Sequence, residues 1–424
     1  MIYARRLAIC IIVSFSRLFV ISEIFLFFKK NYPSFFNEII HSLNYEQVKK
    51  LSYAKEFRRI SDDDLNEFKI KEIKKETLEK LKSVRVYDLS EKYHLKVKSR
   101  EINFFKFSDA AISPNSDLIR LGDEVFFKKD KHPESIQEIF LDEDILKINE
   151  NGLILASTAF KERKHSIGLN LCGVGSNSWS HFVACIFPKI ISFVSLEIKG
   201  PLKIFVSDSL DENCIELLNT VLLETDAPHE ITKLKRGEIA HCNVLYHFDN
   251  FSYVANHSEI PSPYFIVIPE ITRNLLGNFF KKYFYNSERR KTKKIYIGRN
   301  SFRDLNNRSE IRDYFIQKGF EEVFPHQLSI AEKAELFGSA SHIVGPSSSA
   351  LTNLLFSFGK TKILTFINFA RAQDTFFGSL TDSESYDHDL TFLLGKEKIS
   401  SDLNNSYQID KQTIESVVKQ TNFF

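Results

Sequence analysis

A chain of 424 residues is too long for one ordinary core, so two or more domains are expected. Its 43% hydrophobic and 26% charged content belongs to a globular protein and excludes a disordered one. Lys plus Arg number 57 against 55 for Asp plus Glu, and a net charge of +2 excludes the global field that holds nucleic acid, so no nucleic-acid partner is expected.

At the N-terminus Arg5 and Arg6 precede the apolar run of residues 7–16, which has the form of a signal-peptide start but lacks a small-x-small cleavage site after it. Apolar character resumes over residues 18–28, after Arg17 and with Glu23 inside it, and charges near the middle of a membrane span are costly. Residues 1–30 therefore read as an apolar helix ending at Lys29 and Lys30, either buried or lying at a membrane interface, with a membrane-crossing helix the disfavoured alternative. Residues 31–165 read as an extension. Its first part, about 44–82, is rich in Lys and Glu with spaced Leu, Ile and Phe, which predicts surface helices, with the run from Ser61 to Asp64 as a cap. Short alternating runs at 84–88 and 124–128 then predict a small β-rich subdomain. Asp142 and Asp144 have an Asp-x-Asp spacing but fall in an acidic loop and read as a solvated turn, so no metal is expected there.

From about 166 the pattern becomes strand–helix–strand, and residues 166–285 read as a first Rossmann-like domain. Residues 202–206 are a buried strand with Asp208 past its carboxyl end, 212–224 a helix, and 264–269 a crossover strand. The basic stretch 287–294 is a solvated linker. Residues 286–400 read as a second Rossmann-like domain, with strands near 294–297, 321–324, 342–345 and 362–366 and helices near 308–318, 329–338 and 349–358. Gly319 stands where a helix end wants a left-handed residue, and Ser329 with Glu332 forms a capping box. Residues 401–424 are a C-terminal tail or helix. The five cysteines, Cys10, Cys172, Cys185, Cys214 and Cys242, include no CxxC pair, which argues against a zinc site or a disulfide framework and fits reduced thiols in the cytoplasm.

The most informative stretch is 341–366. It reads as a buried strand, a tight turn at Gly345 and Pro346, a helix opening with Ser347, Ser348 and Ser349, a stop at Gly359 and a second buried strand. The first turn of a helix has N–H groups without internal partners and partial positive charge, so this segment offers an anion cradle, and the usual anion in an α/β chain is a nucleotide phosphate. The alternative is that Ser347 or Ser348 only caps the helix. Arg299 follows a strand, at the edge where α/β sheets bind ligands, and Arg303 lies four residues on. Either guanidinium can grip a diphosphate, the alternative being solvated arginines in a basic stretch.

Together these motifs resemble the nucleotide-binding half of family 61 glycosyltransferases, which include many capsular-polysaccharide biosynthesis proteins. Tyr296, Ile297, Gly298 and Arg299 are similar to a Tyr-Ile-Ser-Arg strand end. Arg303, Leu305, Asn307, Arg308 and Glu310 follow Arg-x-Leu-x-Asn-Glu-x-Glu, with Arg308 in place of Glu. Leu328, Ser329, Glu332 and Lys333 follow Leu-Ser-x-x-Glu-Gln, with Lys for Gln. Gly345, Pro346, Ser347, Ser348, Ser349, Ala350, Leu351, Thr352 and Asn353 lie in order on Gly-x-His-Gly-Ala-x-Leu-Thr-Asn, with Ser347 and Ser348 at the His and the Gly. Upstream, residues 177–189 resemble Asn-Tyr-x-His-Trp-x-x-Glu-x-x-Pro-Arg. There His181 and Pro188 keep their spacing, Lys189 replaces the basic residue and the acidic residue falls on Cys185.

The resemblance implies an α/β fold of the GT-B kind, two Rossmann-type units facing a cleft, as the alternating pattern also suggests. It implies inverting transfer of a sugar from a nucleotide-diphosphate sugar to a hydroxyl of a glycan or lipid-linked glycan, in capsular or other surface polysaccharide assembly at the cytoplasmic face of the membrane. Arg299, Arg303, Asn307, Gly345, Ser347, Ser348, Ser349, Thr352 and Asn353 are then the donor-binding residues. His181 is the candidate general base, because an imidazole titrates in the useful range, and Asp208 is the alternative. No cofactor beyond the donor substrate is expected, cations and a helix N-terminus serving the departing diphosphate. The rival reading is a catalytically inactive nucleotide-sugar-binding relative, favoured by Cys185 and Ser348. A sugar-nucleotide oxidoreductase would want an early G-x-G-x-x-G, which this chain lacks.

Overall fold

The computed structural model of the chain describes residues 46, 54–61, 64–75, 77–80, 85–87, 96–99, 101–114, 116–126, 145–148, 152–156, 161–173, 175–198, 200–254, 266–299, 304–368, 379–380, 385–396 and 406–424. The apolar segment 1–30, Arg303, Asp142 and Asp144 lie outside the described residues.

Strands dominate the first part: β1 (Ala54–Arg59), β2 (Lys69–Lys74), β3 (Thr77–Lys80), β4 (Arg85–Tyr87), β5 (Lys96–Ser99), β6 (Ile102–Ile112), β7 (Ile119–Leu121), β8 (Glu124–Phe126), β9 (Ile145–Ile148), β10 (Gly152–Ala156) and β11 (Lys161–Asn170). The surface helices predicted over 44–82 are therefore corrected wherever that stretch is described beyond Glu46: it is strand, apart from one 3-10 turn at Asp64–Glu67. Pairing of β1 with β10 and β8, and of β2 with β6, supplies ladder hydrogen bonds that outweigh the helix propensity of Lys and Glu. The cap itself is real. The Ser61 hydroxyl accepts from the Asp64 N–H at 3.2 Å and donates to the Asp64 carboxylate at 2.6 Å.

Next come α1 (Trp179–His181), a π turn (Phe182–Ile186), α2 (Phe187–Val194), β12 (Leu202–Ser207), α3 (Glu212–Leu222), β13 (His229–Leu234), β14 (Glu238–Phe248), β15 (Tyr253–Val254), β16 (Ile266–Val267) and α4 (Glu270–Phe284). The predicted crossover strand at 264–269 is reduced to β16, which pairs antiparallel with β15 instead of entering the parallel sheet. The larger sheet runs β13-β12-β11-β14-β6-β7-β8-β1-β10-β9, with β2 on β6. β11 to β14 form a parallel block, and antiparallel pairing of β14 with β6 joins that block to the earlier strands in one sheet.

The last part contains β17 (Lys293–Ile297), α5 (Arg308–Gln317), β18 (Glu321–Val323), α6 (Ile330–Gly338), β19 (Ala340–Pro346), a 3-10 segment (Ser349–Phe356), β20 (Gly359–Asn368), β21 (Tyr386–Gly395) and α7 (Lys411–Gln420). Its sheet, β18-β17-β19-β20-β21-β4, is parallel throughout, its last edge supplied by β4 from far upstream. Gly319 has φ +82°, as the helix end requires, and Ser329 with Glu332 closes a full capping box on α6.

Each parallel block reverses its lateral order once. β12 and β13 lie to one side of β11 and β14 to the other, while β18 lies to one side of β17 and β19 to the other. Loops leaving the carboxyl ends at such a reversal diverge and open a crevice. One hydrophobic core joins the two sheets, with Phe187 against Phe279 at 4.8 Å and Phe280 against Phe356 at 4.9 Å between ring centres. A second core, with Phe315, Phe366, Ile414 and Val417, lies under α5 and α7. Among the described residues no helix is long and apolar enough to cross a membrane.

Candidate functional site

At the reversal point of the second sheet two glycines allow close approaches, Gly345 of β19 to β17 and Gly298 to the residue after β18. A Cβ on Gly345 would stand 2.8 Å from both the Ile297 Cβ and its carbonyl oxygen, so only glycine lets the end of β19 lie this close to β17. A Cβ on Gly298 would meet the Phe324 ring at 2.6 Å. Arg299 thereby reaches Ser347, and its guanidinium donates to the Ser347 carbonyl at 3.0 Å. The Ser347 N–H is engaged too, donating to the Phe366 carbonyl of β20 at 2.7 Å. The anion cradle read from the serine run therefore narrows to the amides of Ser348 and Ser349.

The helix predicted over 349–358 is corrected to the eight-residue 3-10 segment. The Asn353 amide donates to the Ala350 carbonyl at 2.8 Å, a local bond at the spacing a 3-10 turn presents. Ser348 is extended at the segment's start, and its side chain makes no capping bond. Thr352 and Asn353 are buried, and Thr352 Oγ1 and Asn353 Oδ1 have no hydrogen-bond partner among the described residues.

Arg308, where the resemblance has Glu, fastens the Arg299 loop. It donates to the Arg299 carbonyl and to Glu322 at 3.1 Å, pairs with Asp304 at 3.6 Å and lies over the Phe324 ring at 5.9 Å. Burial raises the Asp304 carboxyl above its ordinary value, against the pull of the Leu305 N–H and of Arg308. Asn307 faces the C-terminal segment: its amide donates to the Ile409 carbonyl at 2.8 Å and to Glu310 at 2.9 Å.

His181 and Asp208 stand past the carboxyl ends of the neighbouring parallel strands β11 and β12. His181 ends α1 just before the π turn, a distortion frequent at functional sites. Its Nδ1 lies 2.7 Å from where a Cβ on Gly175 would be, so that glycine makes room for the ring. Asp208 is exposed, and its N–H donates to the Leu234 carbonyl at 2.9 Å.

The same edge holds two residues of the upstream motif, Lys189 and Cys185, and one that no motif pointed to, Asp249. Lys189 is fully buried, and burial pulls its ammonium below its ordinary pKa, with Asp117 the strongest opposing charge. Asp249 accepts from the Asn103 backbone N–H at 2.9 Å and from its side-chain amide at 3.2 Å. Burial pushes the Cys185 thiol up to about 12, so it stays protonated. Among the described residues no group of three or more His, Cys, Asp or Glu is placed to hold a metal ion.

The two edges meet. α1 packs on the 3-10 segment, Lys333 lies 4.4 Å over the Trp179 ring, and the Asn213 amide donates to the Leu328 carbonyl at 3.2 Å. The structure thus brings the turn carrying His181 against the segment carrying Ser349, Thr352 and Asn353.

Residues 179–364 match the family model described as Glycosyltransferase 61. The match starts two residues before His181 and ends inside β20, so it takes in both edges. No curated protein matches the chain.

Proposed function

For a chain whose residues 179–364 belong to glycosyltransferase family 61, and which is therefore a glycosyltransferase, we propose inverting transfer from a nucleotide-diphosphate sugar. The acceptor is a hydroxyl of a glycan or lipid-linked glycan, and the setting is capsular or other surface polysaccharide assembly at the cytoplasmic face of the membrane. The two parallel blocks act as the halves of a GT-B-like enzyme, donor on the second and acceptor on the first. The observation that carries this reading is the Arg299–Ser347 bond at the strand reversal of the second sheet, packed against the turn that bears His181.

In this mechanism the diphosphate lies along the β17 and β19 ends. The amides of Ser348 and Ser349, with the Arg299 cation close by, stabilise charge as it builds on the leaving oxygen. The acceptor oxygen attacks the anomeric carbon from the opposite face, and its proton passes to a group on the first edge, where His181 and Asp208 stand. Arg303 and Asn307 extend the donor side in the family reading, Asn307 acting through the loop it anchors. No metal enters these steps.

A thermal-shift screen of nucleoside diphosphates and their sugars, followed by a hydrolysis assay on each donor that binds, tests the reading. NMR of the released sugar should show inversion. The protonated Cys185 thiol favours a second reading, a relative that binds nucleotide sugars without turning them over. Binding with no hydrolysis of any donor would establish it.

A further inference from the structure

Transfer needs a base, and the motif that resembles the family's has a protonated thiol at Cys185 where an acid would stand. A carboxylate reaches the same place from elsewhere in the chain. Asp117 comes from the connection between β6 and β7 and lies against the loop that leaves β11. Its Oδ1 is 2.6 Å from where a Cβ on Gly173 would stand, while His181 fills the corresponding space at Gly175. Asp117 and His181 therefore flank one short loop.

Beneath them lies Lys189, fully buried in the first turn of α2, its Nζ without a hydrogen-bond partner among the described residues. Burial pulls its ammonium below the ordinary pKa, and the nearby carboxylates of Asp117 and Asp249 oppose that pull. The Ser176 hydroxyl of the same loop is also buried without a partner among the described residues, as expected where another molecule completes the polar set. Of the charged groups here, Lys189 has no exposed surface and Asp249 is buried against Asn103. Asp117, like His181 across the loop, is partly exposed.

We infer, on the reading of the chain as an inverting glycosyltransferase, that Asp117 is the catalytic base and that Lys189 positions it. The Asp117 carboxylate takes the proton of the acceptor hydroxyl. The electron pair left on that oxygen forms the bond to the anomeric carbon, and the bond from that carbon to the diphosphate breaks, its pair leaving with the diphosphate. Lys189 touches no substrate; it acts only through its attraction for the carboxylate.

The test uses the full chain and whichever UDP-, GDP- or dTDP-linked hexose the wild type hydrolyses. Asp117→Asn should lower hydrolysis by roughly 100-fold or more, the scale for loss of a general base, with nucleotide affinity unchanged. Sodium azide, a nucleophile with no proton to lose, should restore turnover in this variant and yield the glycosyl azide. Should the single variant fail to fold because Lys189 is left underbalanced, the double variant Asp117→Asn with Lys189→Met removes both charges; it should fold, bind the donor and respond to azide likewise. Near-normal hydrolysis by either variant, or donor binding with no response to azide, overturns the assignment. A wild type that binds donors and hydrolyses none overturns the transferase reading instead, and the role of Asp117 with it.

Discussion

The carboxyl edges of the two parallel blocks handle charge in opposite ways. On the second edge Arg299 and Arg308 are only part-buried and tied to a carbonyl and to the carboxylates of Asp304 and Glu322. On the first, Lys189 and Asp249 are buried outright, Asp249 accepting from the Asn103 N–H at 2.9 Å. A cation that stays near water keeps its charge at little cost and can meet an incoming diphosphate. A charge taken out of water must be matched by others nearby, and such surroundings tune acids and bases. The division suits donor binding on one edge and proton transfer on the other.

Both edges stand on the shared core, and the largest effect should come from cutting it. Phe356→Ala removes the ring that packs on Phe280 and Phe284 and should cost about 3–5 kcal/mol in denaturant unfolding, since neighbouring rings cannot collapse fully into the gap. A loss confined to one of two resolved unfolding transitions would mean that the edges rest on separate cores.

The proton-transfer role proposed for the first edge is sharpened by comparing His181→Ala with Asp117→Asn. Both should leave nucleotide affinity nearly unchanged. His181→Ala should lower turnover by less than the roughly 100-fold expected for loss of the base. A greater loss at His181 would make the imidazole the base and reduce Asp117 to a neighbour of Lys189.

For the second edge, Arg299→Ala should weaken nucleoside-diphosphate binding by about 10-fold or more, the worth of a charge-assisted bond, and leave the bare nucleoside almost unaffected in calorimetry. Equal losses for both ligands would take Arg299 off the phosphates. Ser348→Gly should preserve or tighten diphosphate affinity, because the amide stays and a side chain is cleared; marked weakening would show that the hydroxyl itself makes a contact.

The smallest effect expected is a pH dependence far from either carboxyl edge. Partial burial alone would lower the His241 pKa, but Glu162, 2.6 Å from its Nδ1, and Asp109 together raise it above the ordinary 6.5. A folded-state pKa above the unfolded one means the stabilisation is complete below about 6.5 and is lost as pH rises through the folded value. His241→Asn should flatten stability against pH in that window and leave donor binding alone at every pH.

Much of the second sheet is legible residue by residue. The capping box of Ser329 and Glu332, the left-handed Gly319 and strands β17, β19 and β20 all stand close to where the pattern puts them. Gly345, Ser347 and Arg299 were also legible, as motif members, although their contact was not: a motif names residues in order but not which amide a neighbouring strand has already engaged. On the first edge His181, Cys185 and Lys189 stand in a motif and Asp208 past a strand end. Asp117 sits in no motif, and its meeting with Gly173 joins positions that share no local signal.

What the sequence by itself determined is therefore the set of elements whose causes lie within a few residues: caps, helix stops, buried strand runs and the glycines between them. Tertiary structure decided that the Lys- and Glu-rich stretch from residue 54 becomes strand, that β4 closes the second sheet beside β21, and that the partly exposed Asp117 comes close to the buried Lys189. The physical reason is the range of the interactions. A cap or a turn is satisfied by its own neighbours in the chain, whereas a ladder bond or the approach of two distant charges exists only once a distant segment arrives, and for the ladder its energy then exceeds the local preference.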